Sequence, residues 1–178
     1  MRTFFVAPSL TLSVVVSLAA SALAQMPTYT KAGPLPPALA TATSVFVSNA
    51  GSDSDLFPEP FLDDPDRPYP YLYSGDPDRA YTEFFAALKA TGDFTLVADP
   101  ARADLVLELR LTAPRPDSLP TFRLDIYDGK THYVLWTITH AIRFAYLQKT
   151  HDKNFDAALT GVLNQFLQIS GKTPAPAH

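Results

Sequence analysis

The chain has 178 residues, with 14 Lys and Arg against 18 Asp and Glu, a formal charge of −4, and no cysteine. That mild acidity excludes an electrostatic footprint for nucleic acid and offers no polybasic run for an anionic membrane surface. Without cysteines no disulfide contributes, so stability must come from a packed core, which a chain of this length can supply.

In chain order, Met1-Arg2 is a minimal positive start, followed by an apolar run from Phe4 to Leu18 and then Ala22-Leu23-Ala24. Small residues crowding the end of such a run predict a signal peptide over 1–24, cleaved before Gln25. The alternative is an uncleaved anchor, because the run is nearly long enough to span a bilayer. Cleavage removes Arg2 alone, leaving 13 cations against 18 acids on an exported, periplasmic or secreted chain without integral membrane insertion. Residues 25–43 carry Pro27, Pro34, Pro36 and Pro37 among Ala and Thr, which predicts a disordered tether.

A single α+β domain is expected over 44–171, with a tail at 172–178. Ser44–Ser48 is short and β-branched, the first strand. Residues 49–78 then form a long insertion without periodicity, rich in Asp, Pro and aromatics. Within it, Asp64-Pro-Asp-Arg67 reappears as Asp76-Pro-Asp-Arg79, twelve residues later, the mark of a short duplication that lengthened a surface loop. Asp76 is placed to cap a helix with Pro77 in its first turn. Tyr81, Phe84, Phe85 and Leu88 then make one apolar stripe, and Gly92 ends the helix.

Phe94–Val97 reads as a second strand and Asp99–Asp104 as a turn. Leu105, Leu107, Leu109 and Leu111 alternate with Val106, Glu108 and Arg110 in a third strand. A proline-rich loop, Ala113–Pro120, precedes a hairpin whose strands are Thr121–Tyr127 and His132–His140, the second reaching toward Phe144. Asp128-Gly129 supplies residues that tolerate a tight reversal. A last helix is expected over Asp152–Ser170, with Phe155, Leu159, Val162, Phe166 and Ile169 on one face. The order β-α-β-β-β-β-α predicts a mostly antiparallel sheet with two helices packed on one face.

No catalytic constellation stands out, and no cofactor is implied: nucleotide-binding glycine loops and nucleophile elbows are absent from the sequence. The four histidines lack zinc-ligand spacing; His132 and His140 share a nominal strand face but lie eight residues apart, and His151 is expected in a loop. Phe57, Phe61, Tyr69, Tyr71 and Tyr73, flanked by acids, are the candidate partner-binding residues, since aromatics supply interface hot spots. Asp53, Asp55, Asp63 and Asp64 are the alternative, a weak Ca2+ or small-ligand site, although Pro58 and Pro60 and the missing central glycine break the EF-hand pattern. Asp128 and Thr131 are expected to brace their own turn, and Trp136, on a face with Val134 and Ile138, to pack in the core.

Asp99-Pro-Ala-Arg-Ala-Asp-Leu-Val-Leu107 and Leu124-Asp-Ile-Tyr-Asp-Gly-Lys-Thr-His-Tyr-Val-Leu-Trp136 resemble two motifs of a bacterial envelope α/β domain. That domain is shared by the curli secretion protein CsgG, the penicillin-binding-protein activator LpoB and the N-terminal domain of TolB. The resemblance spans Ser44–Ser170, with His132 standing where the family often has glycine. It implies a non-enzymatic module that binds another envelope protein, with no catalytic residue to carry over. Two features depart from the family: the usual lipidated cysteine is missing, and the acidic 49–78 insertion is added. Oligomeric state is left open by the residues.

Overall fold

The computed structural model describes residues 34–53, 56–57, 73–112 and 119–174. The expected signal segment 1–24, residues 25–33 of the expected tether, 54–55 and 58–72 of the insertion, 113–118 and 175–178 lie outside these. The elements are α1 (Pro37–Thr41), β1 (Ser44–Ser52), α2 (Arg79–Thr91), β2 (Thr95–Leu96), β3 (Leu105–Thr112), β4 (Thr121–Asp128), β5 (Val134–Ala141) and α3 (Gln148–Ile169). One five-stranded sheet runs β2-β1-β3-β4-β5.

The expectation of a mostly antiparallel sheet holds for one half only. β1 lies parallel to both β2 and β3, whereas β3, β4 and β5 pair antiparallel. Parallel pairing follows from the crossover: α2 carries the chain back over the sheet before β2 begins, so β2 must run in the direction of β1.

The four alternating leucines predicted for β3 are all buried, and Leu107, Leu109 and Leu111 pair in register with Ile126, Leu124 and Phe122 of β4. Val45 and Val47 continue that face on β1, and Ile138 on β5. α2 covers β1 and β3, and α3 covers β4 and β5, both on this one face. Phe84, Leu88, Phe155, Val162 and Phe166 of the helices complete the core, each fully buried. Burial of apolar area on this scale is the dominant favourable term in such a fold.

Several boundaries move, each for a local reason. Within the expected tether, residues 34–43 are ordered: α1 places Leu39 and Ala42 in the core. α2 starts at Arg79 and not at Asp76, because Asp76 instead accepts the amide of Asp78 in a turn (2.9 Å), and Asp78 accepts the Asn49 amide (2.7 Å). Gly92 ends the helix as expected, in the left-handed region at φ 70°. α3 begins four residues earlier than expected and takes in His151, which is buried and stacked on Tyr73 with ring centroids 4.4 Å apart. Its far end closes with the amides of Gly171 and Lys172 donating to the carbonyls of Gln168 and Leu167, the paired bonds of a Schellman motif.

The largest correction concerns the 49–78 insertion. Its first residues extend β1 to Ser52, and Leu56, Phe57 and Tyr73 belong to the core. Tyr73 also donates its amide to the Leu56 carbonyl at 2.8 Å, so the two ends of the insertion are tied to one another.

Candidate interaction surface

Of the aromatic residues proposed for partner contact, Phe57 and Tyr73 are 2% and 0% exposed and are unavailable to a partner. Their rings pack together, and Tyr73 packs onto Phe155, an apolar use that no local pattern could distinguish from an exposed one. Phe61, Tyr69 and Tyr71 lie outside the described residues, as do Asp55, Asp63 and Asp64 of the cation alternative. Asp53 is exposed, and among the described residues no group of three His, Cys, Asp or Glu is placed to hold a metal ion.

Asp128 and Thr131 come together as expected. One Asp128 carboxylate oxygen accepts from the Thr131 amide at 2.7 Å, the Thr131 hydroxyl at 2.9 Å and the Lys130 amide at 3.0 Å. These bonds, those from Thr131 first, hold the Asp128 carboxyl below its ordinary range. The pair braces its own turn.

Trp136 packs against the core but remains half-buried. A bulge explains why. Ile126 pairs with Trp136 while Tyr127 pairs with Val134, so Leu135 is the extra residue of β5. Leu135 packs against the core, and Val134, expected beside Trp136, is 53% exposed.

Sequence reasoning missed an ionic knot built on Arg79. Its guanidinium meets Glu83 at 2.8 Å, Asp152 at 2.9 Å and Asp156 at 2.6 Å, and lies 4.3 Å from the centre of the Phe155 ring. Burial works to lower the Arg79 pKa, but Glu83 and Asp152 outweigh it and raise it. Burial likewise pushes the Asp152 carboxyl up; the amide and hydroxyl of Ser74, Gln148 and Arg79 pull it further the other way, to about 2. The only sequence signal was the second Asp-Pro-Asp-Arg copy, whose Arg79 joins Ser74 to both long helices. Each charge in this knot is engaged by a neighbour, which makes it a clasp.

Among the described residues two surfaces stand out. The first is the outer edge of β5. Among the described residues β5 has β4 as its one strand neighbour, so its far side presents unpaired backbone groups. Its sequence, Val-Leu-Trp-Thr-Ile-Thr-His-Ala, holds no Lys, Arg, acid or proline, the usual devices that protect an edge. Its one titratable residue, His140, is turned toward α3, where its Nε2 lies 3.0 Å from Gln165. The second surface is the connection from β5 to α3, where Phe144, Tyr146 and Leu147 are 38%, 93% and 72% exposed.

No family model matches the chain, and no curated protein matches it. Solved structures do. A DUF4136-family protein from Bacteroides thetaiotaomicron is 13% identical with a TM-score of 0.48, over 77% of this chain and 92% of that one. A DUF330-family protein from Xanthomonas campestris is 17% identical with a TM-score of 0.45, over 80% and 87%. The LpoB C-terminal domain from Salmonella enterica is 14% identical with a TM-score of 0.35, over 57% and 82%. Likeness at this level says nothing about activity or partners.

The motif residues that carry the sequence resemblance have structural work. Asp104 accepts from the amides and hydroxyls of Thr43 and Ser44, four bonds of 2.9 to 3.0 Å to one carboxylate oxygen. The amides of Thr43 and Ser44, ahead of the other contributions, hold its pKa down to about 2. Gly129 donates its amide to the Asp104 carbonyl at 2.9 Å, and a Cβ on it would stand 1.9 Å from the Ala103 carbonyl oxygen. The two motifs meet there, at one end of the sheet.

Proposed function

We propose that this chain is a non-enzymatic binding module of the bacterial cell envelope, which holds an extended segment of another protein against the free edge of β5. The observation that carries the reading is that edge: eight residues, Val134–Ala141, with no charge, proline or strand neighbour on the outer side among the described residues. Main-chain hydrogen bonds from an added strand supply affinity, and alternate side chains supply selectivity. The apolar N-terminal run ending in Ala22-Leu23-Ala24 supports an exported, envelope-side location.

A photo-reactive residue at Thr139, incubated with envelope extract, should give a discrete protein adduct, while the same residue at exposed Ala86 on the outside of α2 should not. Thr139→Lys with Ala141→Lys should remove the capture without lowering the melting temperature by more than a few degrees, since both residues are exposed. Adducts that form equally from position 86, or that survive the paired lysines, would sink the edge as the docking site.

A further inference from the structure

The segment joining β5 to α3 is built as a fixed apolar prominence. At its start Ile142 is fully buried and donates its amide to the Pro120 carbonyl at 2.8 Å. One residue on, the Asn154 side chain donates to the Arg143 carbonyl at 3.0 Å. At its end the Leu147 carbonyl accepts the amides of Thr150 and His151, both at 2.9 Å. The segment is therefore held at both ends, while Tyr146 and Leu147 stand out in solvent at 93% and 72% exposure. Phe144 supports them, its ring edge-on to Tyr146 with centroids 4.8 Å apart.

Around this prominence stand Arg143, Lys149 and Lys153, all exposed, and among the described residues none of the three forms an ion pair. The acids closest in sequence, Asp152 and Asp156, are occupied by Arg79. A chain of formal charge −4 thus gathers three cations without an ion-pair partner among the described residues beside Tyr146, the most exposed aromatic side chain among those residues.

We propose that Phe144, Tyr146 and Leu147 seat in the interface of a bilayer containing anionic phospholipid, with Arg143, Lys149 and Lys153 against its headgroups. Tyrosine suits that depth because its ring is apolar and its hydroxyl polar. Cations within a Debye length of an anionic leaflet draw the prominence in, and the buried apolar side chains retain it. The charge complementarity favours a lipid surface over a protein groove because the apolar groups protrude and have no concavity of their own. This contact is independent of the β5 edge, so either reading can fail alone.

The test is co-sedimentation of the full chain with phosphatidylcholine vesicles, with and without phosphatidylglycerol. Wild type should bind the anionic vesicles and be released by salt, because screening shortens the reach of exposed charges. Tyr146→Ser with Leu147→Ser, and separately Lys149→Glu with Lys153→Glu, should each weaken anionic-vesicle binding by about tenfold or more. All four positions are exposed, and acids in the first turns of α3 suit its dipole, so both variants keep the fold, which circular dichroism checks. Equal binding to uncharged vesicles, binding unchanged in either variant, or no vesicle binding would each overturn the proposal. Unchanged binding in both variants would assign the contact to the apolar N-terminal run, and absent binding would leave the prominence to an acidic protein.

Discussion

His132 is the one non-glycine residue in the left-handed region among the described residues, at φ 58°. A side chain there costs about 1–2 kcal/mol relative to the right-handed conformation, a penalty that glycine avoids. The position is the one where the resembling family often has glycine, and the geometry supplies the reason. His132→Gly should therefore raise stability by several tenths to about 1 kcal/mol, read as a higher urea midpoint at unchanged m-value. Gly129, in the same turn, answers to a different constraint. A Cβ there would meet backbone and not a flexible side chain. Gly129→Ala should destabilise by about 2 kcal/mol or more, because the turn must move away from Ala103 as a unit. A neutral Gly129→Ala would show that the turn and the β3 entrance are not in contact. One substitution introduces a glycine and the other removes one, and the surroundings of each position set the sign.

At the scale of elements, β5 shows how a single extra residue redistributes a face. Alternation alone puts Val134, Trp136 and Ile138 together, and full burial of Trp136 would make its truncation cost about 3–5 kcal/mol. With the bulge, Leu135 shares the inward side and the indole stays half-exposed. Trp136→Ala should then cost about 1–3 kcal/mol in denaturant titration, between a surface and a core substitution. Phe57→Ala and Tyr73→Ala should cost more than Trp136→Ala, despite lying in the segment whose composition reads as a surface loop, since both are core residues. An ordering in which Trp136 is the most sensitive would contradict this placement.

At the scale of the whole molecule, two carboxylates tie distant parts of the chain together. Asp104 joins the start of β1 to the start of β3, and Asp152 joins Ser74 and Arg79 to α3. Both have folded pKa values lowered to about 2, against about 4 in an unfolded chain. The sign follows from linkage: a depressed carboxyl stabilises the fold above its unfolded pKa, and that contribution is lost as pH falls toward the folded value. The melting temperature should thus fall steeply between about pH 4 and pH 2. Asp104→Asn and Asp152→Asn should each lower stability near neutral pH by about 1–2 kcal/mol and flatten the acid limb. A melting temperature independent of pH across that window would mean these carboxylates are not selectively bonded in the folded state.

The α+β composition, the hairpin, the leucine strand and the inward faces of both long helices were legible because they rest on local periodicity, which a core enforces residue by residue. The strand termini, the parallel pairing of β1, the ionic clasp on Arg79 and the burial of Phe57 and Tyr73 were not. Each depends on which segments, tens of residues apart, the fold brings into contact, and an aromatic among prolines reads the same whether it is covered or bare. Likewise, the cations at 143, 149 and 153 form no polybasic run in the sequence. Only the turn into α3, with Asp152 and Asp156 drawn to Arg79, leaves them around Tyr146 without an ion-pair partner among the described residues.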